Sequence, residues 1–220
     1  GWASSRSIGC LATICQAARA RGIAVLLDVV HNHWGPFDLP MWCFDGECLG
    51  EDNGGAYFYT GDRRESGWGP RPDYSRAPIR ELILDSVDYL LNDLGFDGMR
   101  WDSTSNIRLA SGRPLEDGRT LLQEMNARFP DALMIAEDLY GSGELTLPLE
   151  RDGIGFDAQW EVNFFRPVHE VLEPANDADR DLERLQDALE HEYNGEPLAR
   201  VIYTESHDEV ANGRSRLPVE

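Results

Sequence analysis

The chain has 220 residues, a length that suits one domain with a single hydrophobic core. Its 20 Lys plus Arg face 40 Asp plus Glu, and the formal charge of −20 sets up a field that repels phosphate backbones and anionic membranes. Nucleic acid and membrane surfaces are therefore not expected partners, and no run reaches the ~18 consecutive apolar residues of a membrane helix. A neutral polyhydroxylated ligand would be indifferent to that field.

Residues 1 to 10, GWASSRSIGC, lack a starting Met, a basic start and an apolar run. They read as the interior of a longer polypeptide, whose targeting signal would lie outside this sequence. Before Leu11 no helical pattern is apparent. Cys10, Cys15, Cys43 and Cys48 form no C-x-x-C. Free thiols in a reducing, cytoplasmic compartment are the expectation, with a local Cys43–Cys48 disulfide left open.

Short Val-, Ile- and Leu-rich runs then recur, each closing on polar or acidic residues. They are IAVLLD (Ile23 to Asp28), FDGMRWD (Phe96 to Asp102), LMIAED (Leu133 to Asp138) and RVIYTESHD (Arg200 to Asp208), with a weaker GFDAQW between the last two. Such runs predict strands buried on both faces. Between them, Ile79, Leu82, Ile83, Val87, Leu90, Leu91 and Leu94 recur at helical spacing, with Pro78 at the start and Gly95 past the end. Leu121, Leu122, Met125 and Phe129 mark a second helix, and Leu182, Leu185 and Leu189 a third.

Strands alternating with helices predict parallel βαβ units, and polar residues at the C-terminal ends of several strands predict the active face of a (β/α)8 TIM barrel. A doubly wound sheet would carry a Gly-rich phosphate turn, and G-x-G-x-x-G is absent from the sequence. The stretch from Trp34 to Ala77, rich in Gly, Pro and aromatics, is too long for a plain connection and is expected to form an inserted loop subdomain over the active face.

Alternation along FDGMRWD points Arg100 and Asp102 one way and Met99 and Trp101 the other. Met and Trp suit the helix side, which leaves a charged pair facing the barrel axis. Such a pair is costly unless it is fully paired or serves chemistry. Glu137, Asp208 with His207, and Asp28 with Asn32 and His33 close other runs. Carboxylates and imidazoles converging from separate strand ends make an acid/base site, and a pair of carboxylates ~5 to 5.5 Å apart is what a retaining glycosidase needs.

DVVHNH, GFDGMRWD, IAED and ESHDE, in this order and each at a strand end, resemble four signatures of the α-amylase family, glycoside hydrolase family 13. The resemblance runs from about Arg21 to the C-terminus, and IAED, FDAQW and TESHDE look most like α-1,4-glucan branching enzymes. It implies an α/β fold, an incomplete (β/α)8 barrel with strands three to seven, in which residues 1–220 form a partial catalytic domain with 34–77 inserted after the third strand. The missing strands would come from the parent chain, and a segment cut from it is expected to aggregate or show negligible activity.

Carried over residue by residue, the resemblance makes Asp102 the nucleophile, Glu137 the general acid/base and Asp208 the carboxylate that steadies the transition state. Arg100 would hold Asp102 ionised, and Asp28, Asn32, His33 and His207 would line or support the sugar subsite. His31 falls between matched positions and is expected to be packed or hydrogen-bonded. The implied substrate is an α-1,4-linked glucan, processed through a covalent glycosyl-enzyme intermediate. Transfer to a glucose 6-hydroxyl makes a branch in glycogen or starch metabolism, and transfer to water makes an α-amylase-type hydrolase. No cofactor or metal is expected, because Asn106 stands where calcium-binding relatives often have His. A metal-dependent, amidohydrolase-like barrel is the remote alternative, suggested by His31-x-His33.

Overall fold

The computed structural model of the protein describes residues 5–35, 41–46, 48, 53–174 and 176–208, with backbone alone for 5–8. The chain divides into two compact units, Gly1–Glu137 and Asp138–Glu220.

In the first unit, helix α1 (Ser5–Arg19) leads to strand β1 (Leu26–Val29). The helix corrects the expectation for the first ten residues. Its opening turns are Ser, Arg and Gly rather than an apolar stripe, so periodicity is weak there. Its packing is clear further along, where Cys15 joins Leu94 and Phe96 in a core that Val25, Leu27 and Leu90 flank. Asp97 ties the helix end to the strand entry. Its carboxylate takes Arg19 at 2.7 Å and the Val25 N–H at 2.8 Å.

Helix α2 (Ala77–Asp88) has Pro in its first turn, where a missing N–H costs nothing, and runs on into one π turn, Tyr89–Asp93. Gly95, at φ +78°, then makes the left-handed exit that favours glycine. Strand β2 (Gly98–Trp101) follows, then helix α3 (Thr104–Arg108) and a small antiparallel ribbon of β3 (Leu109–Ala110) and β4 (Arg113–Pro114). Helix α4 (Glu116–Arg128) buries Leu121, Leu122 and Met125, and strand β5 (Leu133–Ala136) ends the unit. β2 pairs in parallel with β1 on one side and β5 on the other. Each connection thus crosses over with a helix, as the alternation predicts. Gly98 is required by this pairing, because a Cβ there would stand 1.9 Å from the Leu133 carbonyl oxygen.

Between positions 34 and 77 the described residues gather around aromatic rings. Phe58 and Tyr74 are fully buried; Trp34 and Trp42 pack on Phe58, and Tyr59 meets Tyr74 edge-on. Cys43 and Cys48 are disulfide-bonded, while Cys10 and Cys15 are free. The bond corrects the expectation of free thiols throughout and removes the ground for inferring a reducing compartment.

In the second unit, strand β6 (Ala158–Trp160) pairs in parallel with β7 (Arg200–Val201). Helix α5 (Val162–Leu172), not apparent from the spacing alone, packs Phe164 and Val168 against Leu185 and Ala188 of α6 (Leu182–Glu190). The run from Arg200 to Asp208 is strand only at its start. Among the described residues no helix is long and apolar enough to cross a membrane.

Candidate active site

Strand register builds the site. Asp28 of β1 lies level with Arg100 of β2, and Trp101 level with Ala136 of β5, so one further step brings Asp102 beside Glu137. Parallel strands are about 4.8 Å apart, and residues level on neighbouring strands face the same way. Trp101 and Met99, both fully buried, take the opposite face.

Arg100 is the hub. Its Nη1 reaches Asp28 at 2.7 and 2.8 Å and Asp102 at 3.0 Å, and its Nη2 meets Glu137 at 2.9 Å. Contacts of 3.0 and 2.9 Å to one planar guanidinium gather the Asp102 and Glu137 carboxyl groups at a single cation. Burial works against the Arg100 charge. The hydrogen bond that it donates to Asp28 and the charges of Glu137, Asp28 and Asp102 outweigh this and raise its pKa. The guanidinium is therefore a permanent cation among the three carboxyl groups.

Asn32, fully buried, holds Asp102 from the other side. Its Nδ2 donates to the Asp102 carboxylate at 2.7 Å and to the Asp102 carbonyl at 3.0 Å. Two acceptors on one side fix the amide orientation, so its Oδ1 must accept from His33 Nδ1, 2.6 Å away. Burial lowers the His33 pKa, against the opposing charges of Asp102 and Glu65. A neutral imidazole with its proton on Nδ1 follows, with Nε2 left as an acceptor.

Glu137 is buried, and its second oxygen accepts from the Ser103 N–H at 2.8 Å. Ser103 sits in the left-handed region at φ 41°, a conformation that costs a non-glycine residue about 1–3 kcal/mol and aims its N–H at the carboxylate. Thr104 completes the clamp: its N–H and hydroxyl both donate to the Glu137 carbonyl, at 2.8 and 2.7 Å. Sequence reasoning missed Ser103 and Thr104. The polar STS run directly after Asp102 reads as an ordinary helix start and gave no signal of this role.

His31 packs on Trp101 with ring centroids 5.2 Å apart, and its backbone carbonyl accepts from the Tyr74 hydroxyl at 2.7 Å. Both ring nitrogens are buried without a hydrogen bond, and burial lowers the pKa to about 4. Packing, rather than ring hydrogen bonding, is thus its role, and His31 and His33 engage different partners instead of offering a joint metal face.

The structure brings together Asp28, Asn32, His33, Arg100, Asp102 and Glu137. His207 and Asp208 belong to the second unit. They are exposed and beyond β7, with the His207 ring 3.3 Å from Asp208 and edge-on to Trp160.

No protein-family model matches the chain. It is 27% identical over 230 residues to a 1,4-alpha-glucan-branching enzyme of Emericella nidulans, covering 94% of this chain and 32% of that protein. It is 31% identical over 231 residues to a 1,4-alpha-glucan branching enzyme of Shewanella frigidimarina, covering 90% of this chain and 28% of that protein. The chain thus spans about a third of the length of the relatives it matches. Among solved structures, a maltogenic alpha-amylase from Thermotoga neapolitana superposes with a TM-score of 0.62 at 19% identity, over 94% of this chain and 44% of that one. The chain therefore resembles 1,4-α-glucan branching enzymes along about nine-tenths of its length, and its parallel strands and crossover helices have the TIM-barrel fold of solved α-amylases.

Proposed function

We propose that the chain carries catalytic machinery of a retaining enzyme acting on α-1,4-linked glucose chains, and that its reaction is 1,4-α-glucan branching. The observation that carries this reading is the Arg100 guanidinium joined to Asp28, Asp102 and Glu137, since it gathers three carboxylates from separate segments at one point. The relatives named as branching enzymes favour transfer over hydrolysis.

In this reading Asp102, held by Asn32 and Arg100, attacks the anomeric carbon while Glu137 protonates the departing oxygen. Glu137 then deprotonates the incoming 6-hydroxyl. The acid step uses Glu137 in its protonated form, with the proton taken up from solvent before the glycosidic bond breaks. Asp28 and His33 line the sugar subsite. Asp208, with His207, is assigned to transition-state stabilisation on its motif alone. Strands β1, β2, β5, β6 and β7 correspond to strands three to seven of the barrel, and residues 34–77, with their aromatic cluster, to a loop subdomain inserted after the third.

The test uses the natural polypeptide that carries this sequence. Incubation with amylose should yield new α-1,6 linkages with few new reducing ends, and reducing ends in excess would assign an α-amylase-type hydrolase instead. Asp102→Asn should abolish turnover with the fold intact, and Glu137→Gln should lower it by about 10² to 10⁴. Near-normal activity in Asp102→Asn would overturn the mechanism.

A further inference from the structure

The hairpin that carries Trp68 stands against the site-bearing loop after β1. Its base is fixed: the Trp34 N–H donates to the Pro70 carbonyl at 3.1 Å. A Cβ on Gly69 would come within 3.1 Å of the Gly35 carbonyl oxygen and 3.3 Å of the His33 ring. Its tip is equally tied. Glu65 accepts from the Ser66 and Gly67 N–H groups, both at 3.1 Å, and bridges Pro70 through the backbone. The Ser66 hydroxyl donates to the Gly69 carbonyl at 2.9 Å and accepts from the Trp68 N–H at 3.2 Å. Yet Trp68 itself, at the top of this stiff turn, is 71% exposed.

We propose that Trp68 is a substrate-binding residue, whose indole stacks on the apolar face of a glucosyl unit of the α-glucan bound beside Asp102 and Glu137. The inference rests on the α-glucan reading above. A glucopyranose ring presents a face of C–H groups with hydroxyls around its rim, so an exposed indole gains contact without having to satisfy them. The ordered tip lowers the entropy lost when the ring is covered. The turn stands close to the reaction centre: a Cβ at Gly69 would meet the His33 ring, His33 is bonded to Asn32, and Asn32 to Asp102. A neutral sugar also enters freely where the chain's net charge of −20 would repel an anion.

The experiment measures maltoheptaose binding by calorimetry on an Asp102→Asn background of the natural polypeptide, so that turnover does not interfere. Trp68→Ala should weaken binding roughly tenfold, and Trp68→Phe, which keeps a stacking face, should stay within about threefold. In the active protein the Trp68→Ala loss should appear in KM rather than kcat. Unchanged affinity and KM in Trp68→Ala, with circular dichroism confirming the fold, would overturn the stacking role and leave an apolar patch for another partner. Asp102 and Trp68 fail separately: turnover persisting in Asp102→Asn sinks the catalytic reading, whereas normal binding in Trp68→Ala sinks only this one. An Asp102→Asn protein that does not bind maltoheptaose sinks both.

Discussion

Replacing Arg100 by Leu removes the cation from a cluster in which the three partners differ in their access to water. The side chains of Asp28 and Asp102 are 51% and 25% exposed, and solvent can take over their charges; that of Glu137 is 7% exposed, which bars water from doing the same. The cost of the substitution therefore falls mainly on Glu137. Stranding a buried charge costs about 3–5 kcal/mol. Glu137 can escape by taking a proton, and at pH 7 that costs a carboxyl of ordinary pKa about 3.5 kcal/mol, which caps the loss. The expected destabilisation at pH 7 is about 2–3.5 kcal/mol. The penalty should shrink at lower pH, because a proton on Glu137 removes the stranded charge. Urea unfolding followed by tryptophan fluorescence at pH 7 and pH 5 would measure it. A loss below about 1 kcal/mol, or one equal at the two pH values, would refute the view that Arg100 compensates a buried Glu137 charge.

Other outcomes follow from the same contacts. Gly98→Ala forces a Cβ against the Leu133 carbonyl and should cost at least about 2 kcal/mol by thermal unfolding, since β2 and β5 must move apart. The Val25 N–H and Arg19 hold Asp97 below its ordinary value of 3.8, so it contributes stability above that pH which is lost as pH falls further. Asp97→Asn should flatten this acid limb in pH-dependent unfolding midpoints. Asn32→Ala removes a donor to Asp102 and the acceptor for His33 Nδ1, and kcat should fall about 10²-fold while urea unfolding shows a folded protein. Glu161, fully buried in the second unit, takes Asn163 N–H, Tyr193 hydroxyl and His191 Nδ1 at 2.8, 3.0 and 2.9 Å. Glu161→Ala should therefore destabilise by about 2–4 kcal/mol, measured by urea unfolding.

The alternation in FDGMRWD was enough to send Arg100 and Asp102 to one face and Met99 and Trp101 to the other, because side-chain direction in a strand is a local property. The four motifs could nominate candidate site residues from the chain alone, because residue type and order are written in it. Strand order and register are not. That Asp28 lies level with Arg100, and that Asp102 comes beside Glu137, depends on pairing between segments up to 72 residues apart. Only that pairing made Arg100 a hub for three carboxylates rather than a partner for Asp102 alone. Ser103 likewise reads as an ordinary polar residue until its left-handed backbone is seen to aim an N–H at Glu137. Helix α1 escaped detection because its register is set by Cys15 packing against Leu94 and Phe96, a contact that no local pattern encodes. The Cys43–Cys48 bond was undecided for a related reason: a five-residue spacing permits closure, and only the folded loop, with its Cα atoms 5.1 Å apart, brings the two together.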